Sequence, residues 1–303
     1  MPLLDVILGY DCNLACDYCT ITAAMRSRSL STAAVVAALR EGRQRGLTAV
    51  SFTGGEPTIR PDLLGLVRAA AQLGYDDIKL QSNGLLLAPP ANLERLVQAG
   101  VTRWHVSIHA HRREAYERLV DRAGTYDAMV ASLRGMVERG LDPLAEVIVK
   151  ADTADHVPDA IDWLAGLGVT KADLWFVSLT DRNAAFPESM PRMTEVMPRL
   201  SDAFVRARGH GMRLRSLHIP RCLLGDDAGH AHDPAAVGVR VVTPDATFDL
   251  RGSKLTGQRH VPACVGCVHE SYCPGLREDY LARHGDAEIA AARGKPVSRL
   301  PVI

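Results

Sequence analysis

The feature that most constrains the fold is a regular alternation of short apolar segments with longer helical ones. Each of six strand-like segments is followed by a helical segment, and several of these helices end at a glycine, such as Gly46, Gly100 and Gly140. This alternation predicts βαβ units, and therefore an α/β fold with a parallel sheet and outer helices. Six repeats favour an open, partial (β/α)6 barrel over a closed eight-fold one. The predicted strands cover residues 3–8, 49–53, 78–81, 103–108, 146–150 and 174–179.

The pattern changes after a predicted helix over residues 195–209. Residues 239–250 read as a hairpin with Pro244 and Asp245 at its turn, and four cysteines surround it. We therefore predict two domains, a barrel over residues 1–210 and a small metal-bound appendage over residues 211–303.

Composition excludes several classes of function. Of the 303 residues, 47% are hydrophobic, and 35 Lys and Arg balance 35 Asp and Glu, so there is no global basic field for nucleic acid. No apolar run approaches the ~20 residues of a membrane span. The N-terminus lacks the basic start of a signal peptide. We expect a cytoplasmic protein with neither a nucleic-acid nor a membrane partner.

The seven cysteines fall into groups, which favours metal ligation over disulfides in a reducing compartment. Cys12, Cys16 and Cys19 form a CxxxCxxC motif on the loop after the first strand. Three thiolates can hold three irons of a [4Fe–4S] cubane and leave the fourth iron open to a small ligand. The alternative is a zinc knuckle completed by a distant residue.

The other four cysteines make a complete ligand set of their own. Cys264 and Cys267 form a CxxC pair, Cys273 follows after five residues and precedes a proline, and Cys222 lies upstream. Four thiolates fit a second [4Fe–4S] cluster or a four-cysteine zinc site. The five-residue spacing and the Cys-Pro pair favour iron–sulfur.

Two motifs together resemble the radical S-adenosylmethionine (SAM) superfamily. The first is Asp-Cys-Asn-Leu-Ala-Cys-Asp-Tyr-Cys over residues 11–19, with Tyr18 before the third cysteine. The second is Gly54-Gly55-Glu56-Pro57, just past the second strand, which resembles the family's GGEP motif. The resemblance implies that this segment contacts the amino group of SAM. Glycines let a backbone approach a ligand closely, and the Glu56 carboxylate can accept from an ammonium.

Weaker matches lie at the ends of the later strands. By resemblance, Ser82 and Ser107 contact the SAM carboxylate or ribose, against the alternative of solvated loop residues. If Ser107 points into the barrel, His105 and His109 do too, because side chains alternate along a strand. We assign His109 as a proton donor or acceptor and Lys150 as a group that neutralises a carboxylate. The alternatives are a merely hydrogen-bonded histidine and an exposed rim lysine.

The resemblance implies an activity and a set of partners. It implies reductive cleavage of SAM to a 5′-deoxyadenosyl radical, with a reductant such as flavodoxin or ferredoxin. The C-terminal cysteines resemble a SPASM or Twitch domain, with a limit of one auxiliary cluster. We predict an oxidoreductase or maturase that dehydrogenates, cross-links or cyclises a small metabolite or a peptide.

Three alternatives remain beside this prediction. The chain starts directly at the first strand, without a preceding leader-recognition domain, which favours small molecules over ribosomal peptides. A non-catalytic iron–sulfur or zinc protein that senses redox state or binds a partner is the main competing class. A cobalamin-dependent methyltransferase is a third, although no cobalamin-binding domain is evident.

Overall fold

A computed structural model describes residues 2–233, 238–251 and 257–293. A ten-stranded sheet forms its centre, with the strand order β10-β9-β1-β2-β3-β4-β5-β6-β7-β8. These strands are β1 (Leu3–Ile7), β2 (Ala49–Thr53), β3 (Asp77–Ser82), β4 (Arg103–Ser107), β5 (Leu144–Val149), β6 (Lys171–Phe176), β7 (Arg213–Leu217), β8 (Ala231–His232), β9 (Val239–Val242) and β10 (Thr247–Asp249). A separate antiparallel pair joins β11 (Gln258–Arg259) and β12 (Leu276–Arg277).

Helices follow the strands in the order that the sequence predicts. The Ser31 hydroxyl caps the first helix by accepting from the Ala34 N–H at 3.1 Å. The helices are α1 (Thr32–Gln44), α2 (Leu63–Gln72), α3 (Pro90–Ala99), α4 (Arg113–Leu119), α5 (Tyr126–Glu138), α6 (Val157–Gly166), α7 (Met193–Gly209), α8 (Arg221–Leu224), α9 (Glu278–His284) and α10 (Ala287–Arg293). The prediction missed α4 and placed β6 about three residues late.

The strands β1 to β8 pair in parallel with their neighbours, which confirms the predicted α/β class. Along β1, Leu4 and Val6 are fully buried, whereas Leu3, Asp5 and Ile7 are only partly buried. The first set packs under the outer helices in the hydrophobic core, and the second faces the inside of the curved sheet. The sheet is open, because β8 and β10 are edge strands.

The C-terminal part of the chain extends the same sheet. The predicted hairpin is confirmed as β9 and β10, which pair antiparallel, but β9 also pairs in parallel with β1. The strand β7 pairs with β6, so the sheet crosses the predicted boundary at residue 210. The division into two domains stays a prediction, whereas sheet continuity is observed.

Helix α9 fastens the C-terminal segment to the barrel. Tyr280 is fully buried, lies 6.0 Å from the Phe176 ring and accepts a hydrogen bond from the Met193 N–H at 3.0 Å. Asp279 accepts from the Leu179 N–H at 2.8 Å. Within the described ranges, no helix has the length and apolar character needed to span a membrane.

Candidate functional site

The loop with the first three cysteines leaves β1 at its carboxyl end, and arginines hold its backbone. Arg26 donates to the carbonyls of Cys12 and Leu14 at 3.0 and 2.8 Å. Arg182 donates to the Cys16 carbonyl, and Arg122 to the Asn13 carbonyl, each at 2.8 Å. Three cations from separate segments therefore fix the loop carbonyls. No motif marks these arginines in the sequence, because their contacts with the loop carbonyls arise only from the tertiary fold.

Lys150 holds the same loop through its side chain. Its amino group lies 3.1 Å from the Asp17 carboxylate, inside the cysteine motif, and 2.5 Å from Asp152. Lys150 is buried, so the exposed-rim alternative is wrong. Its charge neutralises carboxylates as predicted, but they belong to the protein. These contacts give Lys150 a positioning role, and its catalytic role stays a prediction.

The three thiols fit a cubane by their grouping and chemistry. None is in a disulfide. Burial raises the pKa of Cys16 to about 12, and Cys19 and Cys12 raise it further. The Leu14 N–H donates to the Cys12 sulfur at 3.4 Å. Among the described residues, no three Cys, His, Asp or Glu side chains converge on a single-ion position, and a cubane does not require this because its thiolates bind separate irons.

The two glycines of the second motif let it pack against the cysteine loop. The N–H groups of Gly55 and Glu56 donate to the carbonyls of Gly9 and Asp11 at 2.9 and 2.8 Å. A Cβ on Gly54 would lie 2.3 Å from the Gly9 oxygen, and one on Gly55 would lie 2.0 Å from the Asp11 oxygen. The close approach predicted for these glycines is thus made to the protein's own backbone. Their contact with SAM stays a prediction.

Glu56 is a buried hub at the carboxyl ends of β2 and β3. Its Oε1 accepts from the Thr58 N–H at 2.9 Å and from the hydroxyls of Thr58 and Ser82 at 2.5 and 2.9 Å. Its Oε2 accepts from the Asn83 N–H at 2.7 Å. Pro57 begins the short 3₁₀ turn Pro57–Ile59. Burial raises the pKa of Glu56, while these hydrogen bonds lower it.

Ser82 belongs to this hub and not to an open wall. It is buried, its hydroxyl donates to Glu56, and it accepts from the Gly84 N–H at 3.0 Å. Ser82 therefore positions Glu56, and its contact with SAM stays a prediction. Asn83 extends the hub to the cysteine loop, since its amide donates to the Asn13 side chain at 2.7 Å.

His109 does not continue the inner face of β4. It has a positive φ of 57°, so the alternation of the strand has ended before it. Its Nδ1 accepts from the Ile148 N–H at 3.1 Å, and its ring lies 4.5 Å from the Tyr18 ring. Burial lowers its pKa to about 3, so it is neutral. A cavity of about 800 Å³ is lined by His105 and not by His109, so the role of His109 as a proton donor or acceptor stays a prediction.

The inner face of the barrel carries polar residues that the sequence analysis mostly missed. The cavity of about 800 Å³ runs along this face. Glu146 accepts from Gln81 at 2.9 Å and from Ser107 at 3.5 Å, and its other oxygen lies 2.9 Å from Nδ1 of His105. Ser107 thus points to the same inner face as Glu146, whereas its contact with SAM stays a prediction. The missed signal is period-two polarity within the strands, as in Asp77-x-Lys79-x-Gln81 and Lys171-x-Asp173.

The four remaining cysteines lie together. Cys222, at the start of α8, lines one cleft with Cys264, Cys267 and Cys273. Burial raises the pKa of Cys222 to about 11, and the other three thiols raise it further. Gly275 lets this loop approach β11, since a Cβ there would lie 2.3 Å from the Arg259 oxygen. The grouping and the donor set fit a metal cluster, as the cysteine spacing predicts.

Comparison with known proteins gives the same assignment for the N-terminal half. A family model described as "Radical SAM superfamily" matches residues 6–164. A "Probable GTP 3',8-cyclase" of Saccharolobus solfataricus is 29% identical over 177 residues, which cover 57% of this chain and 56% of the relative. One from Methanopyrus kandleri is 33% identical over 165 residues, or 54% and 52% of the two chains. The chain therefore spans about half the length of the curated relatives it matches.

Solved structures share the fold. Streptococcus suis SuiB bound to S-adenosylmethionine covers 94% of this chain and 75% of its own, with a TM-score of 0.69 and 12% identity. The native anSMEcpe structure with bound AdoMet covers 82% of this chain and 73% of its own, with a TM-score of 0.61 and 16% identity. At these identities the likeness concerns the fold alone.

Proposed function

Because the chain belongs to the radical SAM superfamily, we propose that it is an enzyme that cleaves SAM reductively and oxidises a small metabolite or a peptide. The observation that carries this proposal is the joining of the two motifs. The Gly54–Glu56 segment is hydrogen-bonded to the loop that begins the cysteine motif, at Gly9 and Asp11. A redox sensor or a partner-binding protein would not need a SAM-amino site at this place.

Cys12, Cys16 and Cys19 would hold the [4Fe–4S] cluster. When bound, this cluster supplies the electron that splits SAM into methionine and a 5′-deoxyadenosyl radical. The chain's own residues fix the loop carbonyls through arginines and hold Asp17 through Lys150. Oε2 of Glu56 accepts one hydrogen bond among the described residues, so it retains capacity for the SAM ammonium.

Cys222, Cys264, Cys267 and Cys273 would hold one auxiliary [4Fe–4S] cluster of the SPASM or Twitch type. Four thiolates leave no open coordination position, so substrate chelation is not its role. These four cysteines would hold it as an acceptor for the electron that a substrate radical releases. Metal binding would also supply folding energy to a segment with few regular elements.

The barrel cavity supports a polar substrate. Its wall carries four carboxylate–cation pairs and the Glu146 cluster, in place of the packed aliphatic layers that fill a closed barrel. The space suits a metabolite or a peptide segment. SuiB has been solved bound to its precursor peptide, which makes peptide maturation one form of the proposal.

The curated relatives favour a second candidate, the cyclisation of a purine nucleoside triphosphate. The match covers little more than half of each chain, and it lies in the half that carries the SAM motifs. Equilibrium binding of GTP to the anaerobic holoenzyme distinguishes the candidates. Saturable binding at micromolar GTP favours the cyclisation of a nucleoside triphosphate. The absence of binding favours another metabolite or a peptide as the substrate.

The proposed function is tested by anaerobic purification followed by dithionite and SAM. We expect 5′-deoxyadenosine from the wild type and none from Cys16→Ala. A fully loaded cluster without 5′-deoxyadenosine would refute the radical activity. Two cubanes give about eight irons per chain, and Cys264→Ala should reduce this to about four. If Cys264→Ala removes zinc and leaves the iron content unchanged, the assignment of an auxiliary iron–sulfur cluster is wrong.

A further inference from the structure

Glu146 differs in its partners from four other carboxylates of the cavity wall. Those four carboxylates are ion-paired with an arginine or a lysine. They are Asp77 with Arg103, Asp142 with Lys171, Asp173 with Arg215 and Asp279 with Arg277. The partners of Glu146 are instead an amide, a hydroxyl and an imidazole. None of these partners carries a fixed positive charge that would hold Glu146 in its ionised form.

His105 connects this carboxyl to the cavity. Its Nδ1 lies 2.9 Å from Oε1 of Glu146, and its ring is part of the cavity wall. Within the described part of the chain, its Nε2 has no hydrogen-bond partner, and this atom is not fully buried. The ring therefore joins a buried acid on one side to substrate space on the other.

The chemistry of such a pair does not depend on which atom holds the shared proton. When the pair is deprotonated, Nδ1–H donates to the carboxylate and Nε2 presents a lone pair. When it gains one proton, the pair is either an imidazolium with a carboxylate or a neutral imidazole with a carboxylic acid. In both forms Nε2 carries a hydrogen, so it changes from acceptor to donor.

We propose that Glu146 and His105 form a proton relay that opens on the substrate cavity at Nε2 of His105. The proposal rests on the proposed function for the occupant of that cavity, a substrate whose reacting end carries an O–H or N–H group. The substrate proton passes to Nε2 while the Nδ1 proton passes to Glu146. The substrate loses one proton, the pair gains one, and no electron moves in this step.

Burial places the relay near neutrality. It raises the pKa of Glu146 to about 7 against the nearby charge of Lys79, and it lowers the pKa of His105 well below its ordinary value. The charged and titratable groups that surround the pair come from β3, β4, β6 and β7, and they are Lys79, Arg103, Asp173 and Arg215. Asp173 is ion-paired with Arg215 at 2.6 Å, and Asp77 with Arg103 at 3.0 Å. Among these groups, Lys79 is therefore the net charge near the pair.

Carbethoxylation by diethyl pyrocarbonate tests the relay without SAM or a reductant. The reagent reacts only with an imidazole nitrogen that has a free lone pair. Peptide mapping measures the labelling of each histidine separately. In the anaerobic holoenzyme, we expect the labelling rate of His105 to fall about tenfold from pH 8 to pH 6, because one proton binds near pH 7. In Glu146→Gln, the rates at the two pH values should agree within about twofold, since burial alone keeps His105 neutral.

Asp142→Asn is the matched control, because it removes a carboxylate of the same cavity wall that lies outside the pair. It should keep the tenfold fall. Exposed His210 reports that the reagent is active. The relay is refuted if His105 is not labelled while His210 is, or if wild type and Glu146→Gln share one pH profile. Because 5′-deoxyadenosine formation is measured separately, a failure of the relay and a failure of the radical activity are distinguishable.

Discussion

At the scale of single residues, the two glycines of the second motif show that a sequence pattern can indicate a close contact without naming the neighbour. The sequence indicates a close backbone approach but does not say to what. In the structure, Gly55 approaches the Asp11 carbonyl, so a side chain there would displace the loop that carries the first three cysteines. The identity of the neighbour depends on the tertiary contact between two loops, which sequence-local reasoning cannot supply.

Gly55→Ala should therefore destabilise the protein by ~3 kcal/mol, because its Cβ would overlap the Asp11 backbone oxygen, which accepts from the Glu56 N–H. Gly65→Ala is the matched control, since Gly65 is exposed on α2 and a methyl group there would meet nothing within 4 Å. It should stabilise by ~0.5–1 kcal/mol through helix propensity. Urea unfolding of both variants measures the difference. Equal midpoints would contradict the proposed close contact.

Glu56→Gln tests the buried hub. A glutamine replaces one acceptor oxygen by a donor, so it faces at least one of the donors at Thr58, Ser82 or Asn83 with another N–H. We expect a loss of ~1–3 kcal/mol in the free energy of unfolding. Thr58→Val removes one hydroxyl donor and should cost less, ~1 kcal/mol. A Glu56→Gln protein that unfolds like the wild type would show that the carboxylate does not hold these strand ends.

At the scale of elements, the sequence predicted where the strands and helices lie better than what their inner faces do. Buried apolar runs such as Val147–Val149 are visible without a structure. The inner-face residues are visible only as polar positions two apart, and their pairing needs the register between strands. His105 and Glu146 lie 41 positions apart and meet because β4 pairs with β5. Helix α4 was missed because its seven residues are too short for a clear period.

The cysteine loop has no regular secondary structure, so its conformation depends on side chains from other segments that bind it. Lys150→Met keeps the apolar stem but removes the charge that holds Asp17. We expect iron to leave the first cluster about fivefold faster in the presence of a chelator, which corresponds to ~1 kcal/mol. Lys171→Met is the control, because Lys171 is paired with Asp142 on the inner face of β6. If both variants lose iron at the same rate, the role of Lys150 in holding the loop is refuted.

At the scale of the whole molecule, a formal net charge of zero conceals a strongly charged interior. The barrel holds ion pairs such as Asp173 with Arg215, in which the carboxylate is buried and accepts two bonds at 2.6 and 2.7 Å. Such pairs tolerate the loss of both partners better than the loss of one. Composition excludes a global field, but it says nothing about where opposite charges meet, which the fold alone decides.

The whole molecule also decides between two domains and one sheet. A chain that ends at residue 210 would lose β7 and β9, which pair with β6 and β1, and would leave two open strand edges. It would also uncover Phe176, against which the buried Tyr280 packs. We expect this fragment to bind a hydrophobic dye and to unfold without a cooperative transition. A chain that ends at residue 293 keeps every described contact and should unfold cooperatively. If the 1–210 fragment is monomeric and unfolds cooperatively, the two-domain division predicted from the sequence is correct, and the continuity of the sheet is not required for the barrel to fold.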